Sequence, residues 1–144
     1  MNNQEILDWL GRVIGLFDQD AKLEYGDLDK PEFRVVSEDS LVIKNRAEII
    51  KALEYLISQI APYQEGIRPS LDINGYKKER QEKLMMMAEN TADQVVGTGR
   101  DKVLPEMNSF ERRIIHIVLA DRDDVVTESV GEGRLKRVKI LPKQ

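Results

Sequence analysis

Arg112 and His116, the only histidine of the chain, stand four residues apart. On a helix that spacing sets a permanent cation and a planar, weakly basic ring side by side on one face. A guanidinium holds a phosphate with a fork of N–H donors, and an imidazole can stack on a base or donate to a phosphate. Acid–base catalysis would need a partner carboxylate or a nucleophile poised beside them, so the pair suits a phosphate backbone better than proton transfer. The alternative for an Arg/His pair at this spacing is an ordinary solvated helix face.

The helix that must carry the pair follows from local signals. Asn108 and Glu111 have capping-box spacing, with the asparagine closing the first turn and the glutamate reaching back. At 100° per residue, Phe110, Ile114, Ile117 and Val118 form an apolar stripe widened by Ile115 and Leu119. Arg112, Arg113 and His116 fall on the other side. Glu111 points toward the apolar side, which assigns it to capping.

The elements around this helix can be read in order. Residues 4–18 form an amphipathic helix with Ile6, Leu10, Val13, Ile14 and Phe17 on one stripe and Trp9 at its edge. Strands are expected at Lys22–Tyr25 and Phe33–Val36 around a turn at 26–31, then a helix from Arg46 to Ala61 capped by Asn45 and closed by Pro62. Its stripe is Ile49, Leu53, Leu56, Ile57 and Ile60. A third strand is expected at Arg68–Ile73. A long helix then runs from Gly75 to about Val96, apolar at Leu84, Ala88, Ala92 and Val95, with Met85, Met86 and Met87 filling gaps in the core. Gly97-Thr-Gly99 ends it. A short strand at 102–104, the helix at 109–120 and strands at 125–129 and 135–141 complete the chain, with a turn at Gly131-Glu-Gly133. The fold class is α+β: two small α/β sandwiches in tandem, an α-β-β-α-β module over 1–74 and a second module over 75–144.

Composition narrows the function. The chain has 144 residues, no cysteine and one histidine, which excludes disulfides, thiolate nucleophiles and Cys- or His-rich metal sites. No cofactor is expected. No apolar run approaches the roughly 20 residues of a membrane span, so membrane insertion is not expected and a reducing cytoplasm is the default location. Net charge is −4, but residues 1–70 carry 8 Lys/Arg against 13 Asp/Glu and residues 71–144 carry 14 against 13. Screening confines phosphate attraction to about 10 Å, so a local patch is enough, and the C-terminal half is the side expected to meet nucleic acid. In the last strand Arg137 and Lys139 alternate with Val138 and Ile140, setting a basic face against a buried one.

Several segments together resemble the bacterial Jag (KhpB, SpoIIIJ-associated) family. They are Leu71-Asp-Ile-Asn-Gly-Tyr76, Thr98-Gly-Arg100, Met107-Asn108, Glu111-Arg-Arg-Ile-Ile-His116, Thr127-Glu-Ser129 and Gly131-Glu-Gly133, with Ala52-Leu-Glu-Tyr-Leu56 similar to a run in the family's KH helix. The resemblance implies a KH-like domain followed by an R-3-H domain, named for an arginine and a histidine separated by three residues, without the family's N-terminal domain. It implies binding of single-stranded RNA, with single-stranded DNA a further candidate, in regulation and not in catalysis. Arg112 and His116 would hold backbone and base, with Arg113, Arg137 and Lys139 assisting and Thr127, Glu128 and Ser129 lining the neighbouring edge. Where a KH domain carries a Gly-x-x-Gly loop against the backbone, this chain has Ile43-Lys-Asn-Arg46. Lys44 and Arg46 can attract phosphate by charge, but isoleucine and arginine do not permit the close approach that glycine does.

Two further readings are carried. The altered KH-like domain can serve as an interaction surface, for a homodimer or a heterodimer with another KH protein. The acidic run Asp121, Asp123, Asp124 can be a divalent-cation site, against which an ordinary solvated turn is the simpler reading.

Overall fold

The computed structural model describes residues 1–27, 30–61 and 68–144. The described chain divides into two compact units, Met1–Lys77 and Lys78–Gln144. It is an α+β protein in which each unit has its own three-stranded sheet and its own core.

In the first unit the order is α1 (Asn3–Gly15), β1 (Lys22–Asp27), β2 (Lys30–Val36), α2 (Ser40–Lys44), α3 (Arg46–Ile60) and β3 (Ser70–Ile73). Strand β2 is central, antiparallel to β1 and parallel to β3. Phe33 lies opposite Leu71 and Val35 opposite Ile73. These four side chains form one buried row, into which Ile6, Leu10 and Ile14 of α1 and Ile50, Leu53 and Ile57 of α3 pack. The short helix α2 is absent from the sequence reading. The Asp39 carboxylate caps it by accepting from the N–H groups of Leu41 and Val42, and Val42 anchors it in the core.

Helix α3 begins where expected but without the expected cap. The Asn45 side chain donates to the Leu41 carbonyl at 2.8 Å and makes no capping bond to α3. Its buried stripe is Ile50, Leu53 and Ile57, with Leu56 exposed. Phe17 likewise lies outside the core that α1 serves. The expected turn at 26–31 includes residues 28–29, and Pro62 belongs to 62–67; both lie outside the described residues. At the end of β3, Asn74 takes a left-handed φ of 52°. There its amide accepts from the Ser37 N–H and donates to the Ser37 carbonyl, satisfying both groups of a buried residue.

The second unit holds most of α4 (Tyr76–Thr98), then β4 (Lys102–Val103), α5 (Ser109–Ala120), β5 (Val125–Val130) and β6 (Arg137–Pro142). Helix α4 continues through Gly97 and stops at Gly99, whose φ of +67° is left-handed and whose N–H bonds the Val95 carbonyl at 2.9 Å. Leu84, Ala88, Ala92 and Val95 are fully buried. Met85 and Met86 are exposed and only Met87 touches the core, because positions 84, 88, 92 and 95 already occupy the inward face and 85 and 86 lie about 100° and 200° from Leu84. The sheet order is β4-β6-β5, all antiparallel. Gly131 turns β5 toward β6 with φ +93°, and a Cβ there would meet the Leu135 carbonyl oxygen at 2.9 Å. A 3-10 turn at Gly133–Leu135 follows, so β6 begins at Arg137 and not at residue 135.

Candidate nucleic-acid interface

Helix α5 is fixed at its start by the capping box. The Asn108 side chain accepts from the Glu111 N–H at 2.8 Å, and the Asn108 N–H donates to Glu111 Oε2 at 3.3 Å. The other carboxylate oxygen of Glu111 accepts from Arg80 Nε at 3.0 Å, tying α5 to α4. Arg80 is a residue that sequence reading did not single out.

The rotation of α5 differs from the expected one. Ile115 and Leu119 lie at the centre of the buried face, flanked by Ile114 and Val118. Phe110 is 69% exposed and Ile117 60% exposed, so the expected stripe is turned toward solvent along that edge. This leaves Arg112 and His116 on a flank facing β5, not opposite the core. His116 Nδ1 lies 2.7 Å from Thr127 Oγ1, and Nε2 lies 3.0 Å from Ser129 Oγ. A neutral imidazole has one donor and one acceptor nitrogen, so the ring bridges the two hydroxyls with one bond in each direction. Arg112 Nε is 3.4 Å from the Asn108 carbonyl. Among the described residues neither Arg112 nor Arg113 forms an ion pair.

The strand register divides the remaining sequence candidates. Thr127 pairs with Ile140 and Ser129 with Val138, both partners fully buried, so the two hydroxyls share the helix-covered face. Glu128 pairs with Lys139 and Val130 with Arg137, which places Glu128, Arg137 and Lys139 on the opposite face of the sheet. Arg137 and Lys139 are engaged there with acids, Arg137 with Glu106 at 3.1 Å and Lys139 with Asp101 at 2.9 Å. The hydrogen bond to Asp101 raises the Lys139 pKa, and the same contact lowers that of Asp101. The structure therefore gathers Arg112, Arg113, His116, Thr127 and Ser129 on one side of the second unit. It separates them from Glu128, Arg137 and Lys139.

Lys44 and Arg46 belong to the first unit. Lys44 closes α2, and Arg46 opens α3 with Nη1 3.4 Å from the Asn74 carbonyl and its guanidinium 5.2 Å from the Tyr76 ring centre. The segment expected to stand as a loop is thus a helix–helix junction. In the acidic run after α5, Asp124 is likewise engaged. Asp124 receives a two-pronged bond from Arg122, which also reaches Glu89 and Asp93 of α4. These bonds raise the Arg122 pKa and lower that of Asp124. No group of three or more acidic or histidine side chains among the described residues could hold a metal ion, and no described helix is long and apolar enough to cross a membrane.

Burial, and then the charge of Arg112, lowers the His116 pKa below its ordinary 6.5. The folded protein thus favours the neutral ring. Stability associated with it is present above about pH 6.5 and is lost as pH falls through the lowered folded value. NMR titration of the single imidazole should give a midpoint below 6.5, and Arg112→Ala should move it upward. A midpoint at or above 6.5 would contradict this description of the ring's surroundings.

Residues 82–142, which lie within the second unit and include α5, β5 and β6, match the R-3-H domain. Three relatives carry the name RNA-binding protein KhpB. The one from Clostridium symbiosum is 34% identical over 129 residues, covering 87% of this chain and 58% of the relative. That from Lactiplantibacillus plantarum is 35% identical over 107 residues (72% and 33%), and that from Bacillus subtilis 32% over 109 residues (73% and 52%). Over most of its length the chain is similar to these members of the KhpB (Jag) family. It spans between a third and three-fifths of the length of these relatives.

Proposed function

We propose that this chain is a non-enzymatic, regulatory protein that binds single-stranded nucleic acid, RNA in the first instance, mainly through its R-3-H domain, and acts in the cytoplasm. The observation that carries the reading is the pairing of two arginines without an ion pair among the described residues, Arg112 and Arg113, with the polar row His116, Thr127 and Ser129 beside them. Cations without acidic partners keep their full attraction for phosphate, and hydroxyls reach sugar and phosphate oxygens. The names of the relatives supply RNA as the ligand to test first.

The first unit fits a KH-like module by its α-β-β-α-α-β order and mixed sheet. Its helix junction has Ile43 and Arg46 where the glycines of a clamping loop would stand, which supports a reading in which the second unit does most of the binding. Pairing of the first unit with another KH protein, as homodimer or heterodimer, belongs to the same proposal; sedimentation of the chain alone and with that protein tests it.

Fluorescence anisotropy with a short labelled oligouridine, repeated in duplex and deoxy form, tests the main reading. With two or three phosphates engaged, single-strand affinity should fall by about 7- to 20-fold between about 50 and 200 mM salt. A chain that fails to bind single strands, or binds them independently of salt, would refute the proposal.

A further inference from the structure

We propose that Phe110 and Ile117 form a shelf on which bases of a bound single strand stack while Arg112 and Arg113 hold its backbone. The inference deepens the nucleic-acid reading above and rests on it. Phe110, Arg113 and Ile117 follow one another at i, i+3 and i+7 on α5, so they share a face. That face is turned away from the buried Ile115 and Leu119. A single exposed apolar side chain is ordinary and needs no explanation. Here an exposed phenylalanine and an exposed isoleucine flank an exposed arginine on the same ridge.

Charge selects the occupant. Arg113 on the ridge and Arg112 on the adjoining flank have no acidic partner among the described residues. The one carboxylate within the helix, Glu111, is turned inward to its cap and to Arg80. A ligand for this face must therefore present negative charge next to flat apolar groups, which is the chemistry of a single strand with its bases unpaired. The ridge spans about 10 Å from Phe110 to Ile117, enough for more than one base. An aromatic ring stacks on any base, so the shelf adds affinity without reading sequence.

The test compares two ligands that share a backbone: a short oligouridine and a strand of equal length made of abasic ribose-phosphate units. Both are titrated against the full chain and against Phe110→Ala, Ile117→Ala and Phe110→Tyr, with thermal melts run in parallel. Phe110→Ala should weaken oligouridine binding about tenfold and leave abasic binding unchanged, Ile117→Ala should act in the same sense but less, and Phe110→Tyr should bind like the parent. Equal losses on both ligands, or no loss on oligouridine, would overturn the shelf while the nucleic-acid reading stands. A parent chain that binds neither ligand would overturn that reading itself. Light scattering supplies the remaining outcome. If Phe110→Ala turns a dimer into a monomer and RNA binding is unaffected, the ridge is a protein contact and the proposal fails.

Discussion

Replacing Ile115 with alanine should destabilise the second unit by about 2–5 kcal/mol, whereas Phe110→Ala on the same helix should change stability by less than about 0.5 kcal/mol. Ile115 is 0% exposed and belongs to the core made by α4, α5, β5 and β6. Truncation there removes three carbons from a packed interior and leaves a cavity that Leu119, Val138 and Ile140 can close only in part. A domain of this size commonly has only about 5–15 kcal/mol of stability in total, so the variant should show a large drop in urea midpoint. Phe110 loses mostly water contacts. Urea unfolding followed by circular dichroism distinguishes the two. The reverse order, a severe Phe110→Ala and a mild Ile115→Ala, would mean that α5 is rotated from the orientation described.

That rotation is where sequence reasoning was weakest. The ends of α5 are set by the capping box, a local device written in Asn108 and Glu111. Its facing is not local, because Ile114, Ile115, Ile117, Val118 and Leu119 occupy five of six successive positions and more than one stripe satisfies the helical period. Contacts distant in sequence choose between them: His116 with Thr127 and Ser129 on β5, and Glu111 with Arg80 on α4. Helix α2 escaped notice because its five residues are too few for periodicity. Asp39 ahead of Leu41 and Val42 was the available sign. Asn45 was misread because a capping residue has two directions in which to bond, and here its amide turns back to Leu41.

The site was legible to a similar depth. The alternation in β6 correctly separates the inward Val138 and Ile140 from the outward Arg137 and Lys139. Which face of the sheet α5 covers cannot be read from one strand. It depends on the register that sets Glu128 opposite Lys139. Once that register is known, the basic side chains of β6 lie behind the sheet with Glu106 and Asp101 as partners. The patch beside His116 then contains two arginines, and each should matter more than an even spread of cations would suggest.

Arg112→Ala should therefore lower affinity for single-stranded RNA by about 1.5–3 kcal/mol, roughly 10- to 150-fold, with little change in stability. The fold loses only a 3.4 Å contact between Arg112 Nε and the Asn108 carbonyl, long for a hydrogen bond and at a helix terminus already capped. The ligand loses a charge-assisted, forked contact. If that contact is to one phosphate, the slope of log K against log salt should become shallower by about 0.7. Arg112→Lys should fall between parent and alanine, since it restores charge without the planar fork. Two readouts keep a loss of binding from being mistaken for a loss of structure. The variant should melt near the parent temperature, and its His116 pKa should rise once the neighbouring cation is gone. If Arg112→Ala unfolds the domain, the guanidinium is part of the scaffold. If the variant stays folded and binds RNA as the parent does, the α5 flank is not the contact surface, and the opposite face with Arg137 and Lys139 must carry the binding despite its acidic partners.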